Sequence, residues 1–358
     1  MCRTGISLFT GAGGMDVGFS KAGFDVLWAN DFDSDCCKTY QANHKNIIKC
    51  GDINDFFEEL ENYKGIDVLF GGPPCQGFSV AGKMDPNDER SKLVWAFAKA
   101  VEITKPKAFV MENVKALAEL EKFKDIRNEL LIKLTKLGYK CLLTVVNAQD
   151  FGVPQKRERM LIFGFKDAPF VVNVEKIMEK FKKKPIPVKK VLLKLGKAGT
   201  EHNKKICKAL VTFASHPVLR KSPYAGMMFN GQGRPIDPDK PCNTLPASMG
   251  GNRTPIVDED YVYDGSNNWI EEYHHHLMTG GIPKEGVAPK RLRRLTVDEA
   301  AQIQTYPEDY IFVGSQSSVF KQIGNAVPCN LAEATGKTVF DILDKLENSP
   351  KELPYVSF

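Results

Sequence analysis

The sequence predicts an α/β protein with a mixed β-sheet and a second, smaller domain. Short apolar segments that end at glycine, proline or acidic residues alternate with helical segments, which is typical of parallel strands joined by helices. Four such segments lie at 5–9, 24–29, 66–70 and 107–111. Two further strands are predicted at 140–147 and 160–165. Because the link between these two is too short for a crossover helix, we expect them to be antiparallel.

Length and composition favour a globular protein of two domains. The chain has 358 residues, of which 42% are hydrophobic and 26% are charged, and this length is large for a single core. The nine cysteines contain no C-x-x-C pair, which argues against a disulfide framework or a zinc site and for a reducing compartment. Because the sequence has neither a long apolar run nor a signal-peptide pattern, we expect a cytoplasmic protein without membrane contact.

Positive charge is concentrated in the middle of the chain. Residues 171–290 contain 19 Lys and Arg against 12 Asp and Glu, whereas the whole chain has a formal charge of +5. A basic segment beside a neutral body suggests a polyanionic partner. Charge alone favours the alternative, a solvated lysine-rich surface. The sequence motifs must therefore show whether the protein has a polyanionic partner.

A glycine-rich turn follows the first predicted strand. Gly11, Gly13 and Gly14 stand between residues 5–9 and a helical segment, where backbone N–H groups can meet a cofactor. The turn does not match G-x-G-x-x-G, because the third glycine would fall at Asp16, and there is no Walker lysine. A nucleoside cofactor smaller than a dinucleotide therefore fits best, and a purely structural turn is the alternative.

Acidic residues follow the next two strands. Asp31 stands where a carboxylate can accept hydrogen bonds from ribose hydroxyls, and Phe32 offers a face for stacking on a purine. Asp33 is better explained as the cap of a helix at 34–43. Asp52 could accept a bond from an adenine amino group, although the three residues around it carry little information alone.

Cys75 is a candidate nucleophile. The strand at 66–70 is ended by two glycines and two prolines, so Cys75 lies on a loop at the carboxyl end of a strand, the edge where α/β proteins bind ligands. A buried, inert cysteine is the alternative. Glu112 follows the strand at 107–111 and is expected in the same crevice, where a carboxyl group can have a raised pKa and donate a proton.

Two arginines and three histidines are further candidates. Arg157 and Arg159 alternate at strand spacing, so we expect both on one face, where they could hold a carbonyl oxygen or a phosphate. Consecutive histidines at 274–276 could suggest a metal, but without cysteine or carboxylate partners a solvated turn is the better explanation, and we expect no metal.

Taken together, the motifs resemble those of the DNA (cytosine-5) methyltransferases of bacterial restriction-modification systems. The matching blocks lie at 7–14, 30–32, 51–53, 71–79, 112–114, 155–159, 294–307 and 322–328. They cover residues 5–165 and 291–340 and leave the middle segment unmatched. The sequence departs from the family at Ser7, where many members carry an acid near the methionine part of the cofactor, and at 84–90, in the mobile loop.

This resemblance implies a Rossmann-like fold, S-adenosylmethionine as methyl donor, and a flipped-out cytosine in duplex DNA as acceptor. It implies that Cys75 attacks the ring, Glu112 contacts ring nitrogen 3, and Arg159 holds the carbonyl oxygen with support from Arg157. The cofactor residues it implies are Phe9, Gly11, Gly13, Gly14, Asp31, Phe32, Asp52, Ile53 and Asn325. The residues it implies at the cytosine or its phosphate are Pro74, Gln76, Ser79, Asn113 and Val114.

The predicted domains are a catalytic and cofactor-binding domain (1–170), a target-recognition domain (171–310) and a C-terminal segment that returns to the catalytic domain (311–358). Candidate DNA contacts in the recognition domain are Gly231, Gln232, Gly233, Arg234, Asn252 and Arg253, of which Arg234 and Arg253 are the main ones. We expect a monomer that acts on double-stranded DNA in the bacterial cytoplasm and is associated with the nucleoid through DNA. A cognate restriction endonuclease can belong to the same system without needing direct contact with it. A tRNA methyltransferase of the same superfamily and a catalytically silent DNA-binding relative are the alternatives.

Overall fold

The chain divides into two compact units in the computed structural model, which describes residues 2–74, 93–168 and 172–348. The first unit comprises 1–151, 158–183 and 327–358, and the second comprises 152–157 and 184–326. Each unit is a part of the chain whose backbone segments contact one another. The functional domains predicted from the motifs, with boundaries at 170 and 310, stay a prediction.

The β-strands are β1 (Arg3–Leu8), β2 (Phe24–Asp31), β3 (Ile48–Cys50), β4 (Val68–Gly71), β5 (Ala108–Val114), β6 (Tyr139–Asn147), β7 (Gln155–Lys156), β8 (Glu158–Lys166), β9 (Phe213–Val218), β10 (Met227–Phe229), β11 (Cys242–Asn243), β12 (Ile256–Asp258) and β13 (Leu292–Arg294). The longest β-strands, β6 and β8, lie in the first unit, and each has nine residues.

The helices alternate with the strands in the first half of the chain. They are α1 (Gly14–Lys21), α2 (Ser34–Asn43), α3 (Phe57–Leu60), α4 (Leu93–Thr104), α5 (Lys115–Glu119), α6 (Lys124–Lys136), α7 (Val174–Met178), α8 (Lys189–Leu195), α9 (Glu259–Tyr263), α10 (Trp269–Met278), α11 (Val297–Ile303), α12 (Gln316–Asn325) and α13 (Cys329–Asn348). Among the described residues, no helix combines the length and apolar character needed to span a bilayer.

A seven-stranded sheet forms the centre of the first unit, with the order β3-β2-β1-β4-β5-β8-β6. The first five of these strands are parallel to one another, whereas β8 is antiparallel to both β5 and β6. The predicted α/β fold with a mixed sheet is therefore confirmed. The apolar runs at Val68–Phe70 and Ala108–Met111 are fully buried, as expected for strands covered on both faces.

The C-terminal helix packs closely on the first helix. A Cβ atom at Gly18 of α1 would lie 2.4 Å from the Cβ of Ala332 on α13, and one at Gly336 would lie 2.8 Å from the Cβ of Ala22. Phe340 of α13 also meets Phe24 edge-on, with ring centroids 5.7 Å apart. Because Gly18 and Gly336 have no side chain, the backbones of α1 and α13 approach closely. Helix α13 therefore covers the helix that follows the glycine-rich turn.

The second unit has a core of its own. Strands β9 and β10 form an antiparallel pair, as do β12 and β13, while β7 pairs in parallel with β11. Phe213 and Tyr273 pack edge-on in this core with ring centroids 5.1 Å apart. Helix α11 begins with a capping box, in which Thr296 and Glu299 exchange side-chain and backbone hydrogen bonds.

Candidate active site

The glycine-rich turn between β1 and α1 leaves room for a ligand. Phe9, Gly11 and Gly13 have φ angles of +53°, +55° and +76°, so the chain turns through left-handed conformations that glycine adopts without strain. Gly14 is the first residue of α1. Among the described residues, a Cβ atom at Gly11 would meet no atom within 4 Å apart from its chain neighbours, so they leave open space beside the turn.

The carboxylate of Asp31, at the end of β2, closes the same site. Its Oδ2 accepts a hydrogen bond from the backbone N–H of Gly11 (2.7 Å), and its Oδ1 accepts one from Asp33 N–H (2.8 Å). Each carboxylate oxygen can accept a second hydrogen bond, so the group can also bind ligand hydroxyls. The side chain of Phe32 is 77% exposed, which leaves its ring available for stacking.

Asp52 and Ile53 follow β3, the strand next to β2. Asp52 caps a short 3-10 helix (Ile53–Phe56), and its Oδ1 accepts a hydrogen bond from Asn54 N–H at 2.9 Å. Ile53 is buried. The buried amide of Asn30 donates to the carbonyls of Lys49 and Gly51, both at 3.0 Å, and so fixes the two strand ends relative to each other.

A buried carboxyl group near the turn escaped the sequence analysis. Asp16 of α1 is fully buried, and it accepts hydrogen bonds from the Ser7 hydroxyl (2.9 Å) and the Tyr40 hydroxyl (3.0 Å). Burial raises the pKa of Asp16 to about 7, while the two hydroxyl donors act in the opposite direction. The signal available in the sequence was a lone acid within the helical segment after the glycine-rich turn. Its contact with Ser7 joins residues nine positions apart and is visible only in the structure.

Glu112 and Arg159 form an ion pair at the carboxyl end of the sheet. Glu112 lies on β5 and Arg159 on the antiparallel strand β8, where Arg159 is paired in register with Val114. Arg159 Nε lies 2.7 Å from Glu112 Oε1, and both side chains are largely buried. Arg159 Nη1 donates to its neighbour's carbonyl, Glu158 O, at 2.8 Å. Because a guanidinium group has five N–H donors, further donors remain for a ligand oxygen.

The segment that leads to Cys75 lies against the same carboxyl group. A Cβ atom at Gly72 would be only 2.9 Å from Glu112 Oε2, so the absence of a side chain allows this approach. Asn113 Nδ2 donates to the carbonyl of Pro73 at 3.2 Å, and the half-buried Pro74 follows. Thus the chain is fixed beside Glu112 immediately before the predicted nucleophile.

Three residues predicted to react with or border the cytosine lie outside the described residues, namely Cys75, Gln76 and Ser79. Within the described residues, Asn113 and Val114 end β5, and the Val114 N–H donates to Asn113 Oδ1 at 2.8 Å. Their contact with a cytosine stays a prediction.

The hydrogen-bond partners of Arg157 differ from those of Arg159. It is buried in the second unit, where Nη1 donates to Leu245 O (3.2 Å) and Nη2 donates to Gly324 O (2.8 Å). Sequence spacing alone put both arginines on one face, but Arg157 lies between β7 and β8 and not within a regular strand. Asn325, the last residue of α12, is also in the second unit, and its contact with a cofactor stays a prediction.

The two main DNA-recognition candidates line one cavity of the second unit. Arg234 and Arg253 are both exposed on the wall of a cavity of about 360 Å³. The solvated turn predicted for the histidines at 274–276 is wrong, because they lie on α10 and His274 is buried. His274 Nε2 contacts Arg220 O at 2.8 Å and His276 Nε2 contacts Ile282 O at 3.1 Å. Across residues 2–74, 93–168 and 172–348, no cluster of three or more candidate metal ligands occurs.

Comparisons with known proteins identify relatives along nearly the whole chain. The model of the C-5 cytosine-specific DNA methylase family matches residues 3–341. The chain is 35% identical to the Type II methyltransferase M.PspPI of Psychrobacter sp. over 97% of this chain and 80% of that protein. It is 32% identical to the Type II methyltransferase M1.HphI of Haemophilus parahaemolyticus over 95% of this chain and 87% of that protein.

A solved structure has a similar fold. The Dnmt2 methyltransferase of S. pombe superposes with a TM-score of 0.69 at 15% identity, over 96% of this chain and 99% of that one. The family match and the two relatives confirm the resemblance predicted from the motifs. The chain belongs to the C-5 cytosine-specific DNA methylase family, whose members are enzymes that take their methyl group from S-adenosylmethionine.

Proposed function

We propose that this enzyme methylates carbon 5 of a cytosine that is flipped out of duplex DNA, through a covalent adduct with Cys75. The observation that supports this most is the Glu112–Arg159 ion pair beside Gly72, three residues before Cys75. A carboxyl group and a guanidinium group lie together at this sheet edge, and with a thiol they are the groups that activation of a cytosine ring requires.

The thiolate overcomes the weak nucleophilicity of carbon 5. Attack of the Cys75 thiolate on carbon 6 forms a carbon–sulfur bond and makes carbon 5 part of an enamine. Carbon 5 would then bond to the sulfonium methyl group, while the methyl–sulfur bond of the cofactor breaks and a neutral thioether leaves. Carbon 5 then loses its proton to water, and the carbon–sulfur bond breaks to release the thiolate. Cys75 can reach carbon 6 only from above the ring, so the cytosine must leave the base stack.

Glu112 and Arg159 stabilise the charge that the thiolate brings into the ring. That charge accumulates at ring nitrogen 3 and at the carbonyl oxygen on carbon 2. Glu112 protonates or hydrogen-bonds nitrogen 3, while the remaining donors of Arg159 bind the oxygen. Because the ion pair fixes both groups before the substrate binds, little reorganisation is needed.

The site around the glycine-rich turn suits S-adenosylmethionine, which supplies an electrophilic methyl group on a sulfonium. Open space beside Gly11, the carboxylate of Asp31 and the exposed ring of Phe32 fit a nucleoside. Asp31 would bind the ribose, Phe32 would stack on the adenine, and Asp52 with Ile53 would border the adenine edge. Phe9, Gly13 and Gly14 would shape the turn.

The relatives suggest a biological setting. M.PspPI and M1.HphI are named as Type II methyltransferases, so we propose that this enzyme modifies one short duplex sequence in a restriction-modification system. We propose that it acts as a monomer on chromosomal DNA in a bacterial cytoplasm, without contact with its cognate endonuclease.

A methyl-transfer assay tests this function. With tritiated S-adenosylmethionine, the wild-type enzyme should label duplex DNA and leave transfer RNA unlabelled. Cys75→Ala should abolish labelling, because the thiol forms the adduct, while Cys2→Ala should retain it, because Cys2 is an exposed thiol outside the motifs. Label on transfer RNA alone, or a normal rate with Cys75→Ala, would contradict the proposal.

A further inference from the structure

Two cysteines of the first unit lie side by side where β2 and β3 end. Cys37 is in the first turn of α2, and Cys50 is the last residue of β3. Cys37 packs with the buried Ile48, and because side chains alternate along a strand, Cys50 is on the same face as Ile48. Within the described residues both are free thiols. The fold thus brings two thiols from different elements into one cluster.

The carbonyl of Asp31 connects the two cysteines. It accepts a hydrogen bond from Cys37 Sγ at 3.4 Å and another from the Gly51 N–H at 3.0 Å. Asp31 is also paired in register with Cys50 across β2 and β3. The Cys37 thiol therefore rests on the strand residue that is the direct neighbour of Cys50.

The backbone is held in place around both thiols. The Cys37 N–H donates to Asp33 O at 2.9 Å, which ties the first turn of α2 to the end of β2. The side-chain amide of Asn30 donates to the carbonyls of the residues before and after Cys50, both at 3.0 Å. Because both backbones are already ordered, joining the two sulfurs closes no flexible loop and costs little chain entropy.

The two thiols differ in their access to solvent. Cys50 is exposed, whereas Cys37 is only 3% exposed. Burial raises the pKa of the Cys37 thiol, and so does the adjacent Cys50 side chain, with which it forms a hydrogen bond. Cys37 therefore stays a neutral thiol that an oxidant in solvent does not reach first. An accessible cysteine beside a second, sheltered one is the arrangement of a reversible oxidation site.

We propose that Cys50 and Cys37 are a site of reversible oxidation, at which hydrogen peroxide converts the two thiols into an intramolecular disulfide. The Cys50 thiolate attacks one oxygen of the peroxide, the O–O bond breaks, and the other oxygen takes up the thiol proton and leaves as water. Cys50 is then a sulfenic acid. The Cys37 sulfur attacks the Cys50 sulfur, the S–O bond breaks, and the oxygen leaves as water with the Cys37 proton. Two electrons pass from sulfur to one peroxide molecule, and two water molecules form.

The disulfide changes the site that we assign to the cofactor. A disulfide sulfur has no proton to donate, so the bond from Cys37 to Asp31 O is lost and α2 is tied to the end of β3. Asp31 and Asp52 are the residues assigned to ribose and adenine. We expect the affinity for S-adenosylmethionine to fall about three- to tenfold, as for the loss of one hydrogen bond. This effect rests on the proposed cofactor residues, whereas the disulfide does not.

Peptide mapping tests the disulfide. The full chain would carry Cys75→Ala, because the predicted nucleophile would also react with peroxide, and it would be digested without reductant after treatment with hydrogen peroxide. Mass spectrometry should find the peptides of Cys37 and Cys50 linked, and dithiothreitol should separate them. A further Cys50→Ala or Cys37→Ala change should abolish the link, while Cys36→Ala, which removes the neighbouring buried thiol, should retain it. Oxidation of Cys50 without a link, or a link to another cysteine, would overturn the site.

Equilibrium dialysis with tritiated S-adenosylmethionine tests the consequence. Peroxide should weaken binding to the Cys75→Ala protein about three- to tenfold, dithiothreitol should restore it, and a further Cys50→Ala change should make binding insensitive to peroxide. Unchanged affinity after the disulfide has formed would overturn the effect on the cofactor. If Asp31→Ala binds the cofactor as tightly as its reduced parent, the proposed cofactor site fails, while the linked peptides still decide the disulfide.

Discussion

Asp16 places a carboxyl group in the interior of the first unit, beside the turn that we assign to the cofactor. Burial raises its pKa from 3.8 to about 7. The folded protein therefore binds a proton more tightly than the unfolded chain. The stability contributed by this proton is complete below about pH 4 and is lost as the pH rises through 7.

Asp16→Asn should therefore change the pH dependence of stability. One pKa unit corresponds to about 1.4 kcal/mol. Relative to wild type, the free energy of unfolding of the variant should rise by about 2–3 kcal/mol between pH 5 and pH 8. Urea denaturation at both pH values measures this, with the exposed Asp55→Asn as control. A difference between variant and wild type that does not change with pH would contradict the buried titration.

At the scale of elements, the contact between α1 and α13 depends on a missing side chain. At Gly18 a Cβ atom would lie 2.4 Å from the Cβ of Ala332 and 2.5 Å from the backbone nitrogen of Glu333. The second distance involves backbone, so the helices would have to move apart. Such overpacking typically costs about 1–3 kcal/mol.

We expect Gly18→Ala to lower the free energy of unfolding by about 1–3 kcal/mol, as measured by urea denaturation. Gly251→Ala is a matched control, because a Cβ atom there meets nothing within 4 Å in the part of the chain that the structure describes, and the φ angle of Gly251 is ordinary. Ala332→Gly should not restore Gly18→Ala, since the backbone of α13 stays in place. Full stability of Gly18→Ala would show that the helices are not in close contact.

The positions of strands and helices could be predicted from the sequence where the signal comes from neighbouring residues, as with an apolar run or a helix cap. The helix predicted at 34–43 is α2, whose start is fixed by the side chain of Asp33. The pairing of β7 with β11 could not be predicted, because it joins residues about ninety positions apart. Two-residue strands have no period of their own, and only their partner defines them.

At the scale of the whole molecule, the positions of the candidate side chains on the sheet were easier to predict than the contacts that support them. Glu112 and Asp31 were found because each stands at the carboxyl end of a parallel strand, where the sheet itself brings groups together. The hydrogen bonds of Asp16 with Tyr40 and of Arg157 with Leu245 were not, because they join distant segments. The spacing in the sequence predicted that Arg157 and Arg159 share one face. In the structure, Arg157 is buried in the second unit.

Part of the positive charge in the middle of the sequence lines a cavity of the second unit. Arg234 and Arg253 come from different segments, yet they line one cavity with lysines. Composition alone favoured a solvated surface, because it cannot tell which charges are neutralised. The ion pair of Asp237 with Lys240 shows that the acid of this cavity is already paired.

The most direct test of the account is covalent capture on DNA that carries 5-fluorocytosine at the target position. Fluorine cannot leave as the carbon-5 proton does, so the carbon–sulfur bond should persist through denaturation. Mass spectrometry of the digested complex should find one modified base on the peptide that contains Cys75, and none with Cys75→Ala. Cys2→Ala should be captured as wild type is. An adduct on any other residue, or methyl transfer without an adduct, would contradict the central claim.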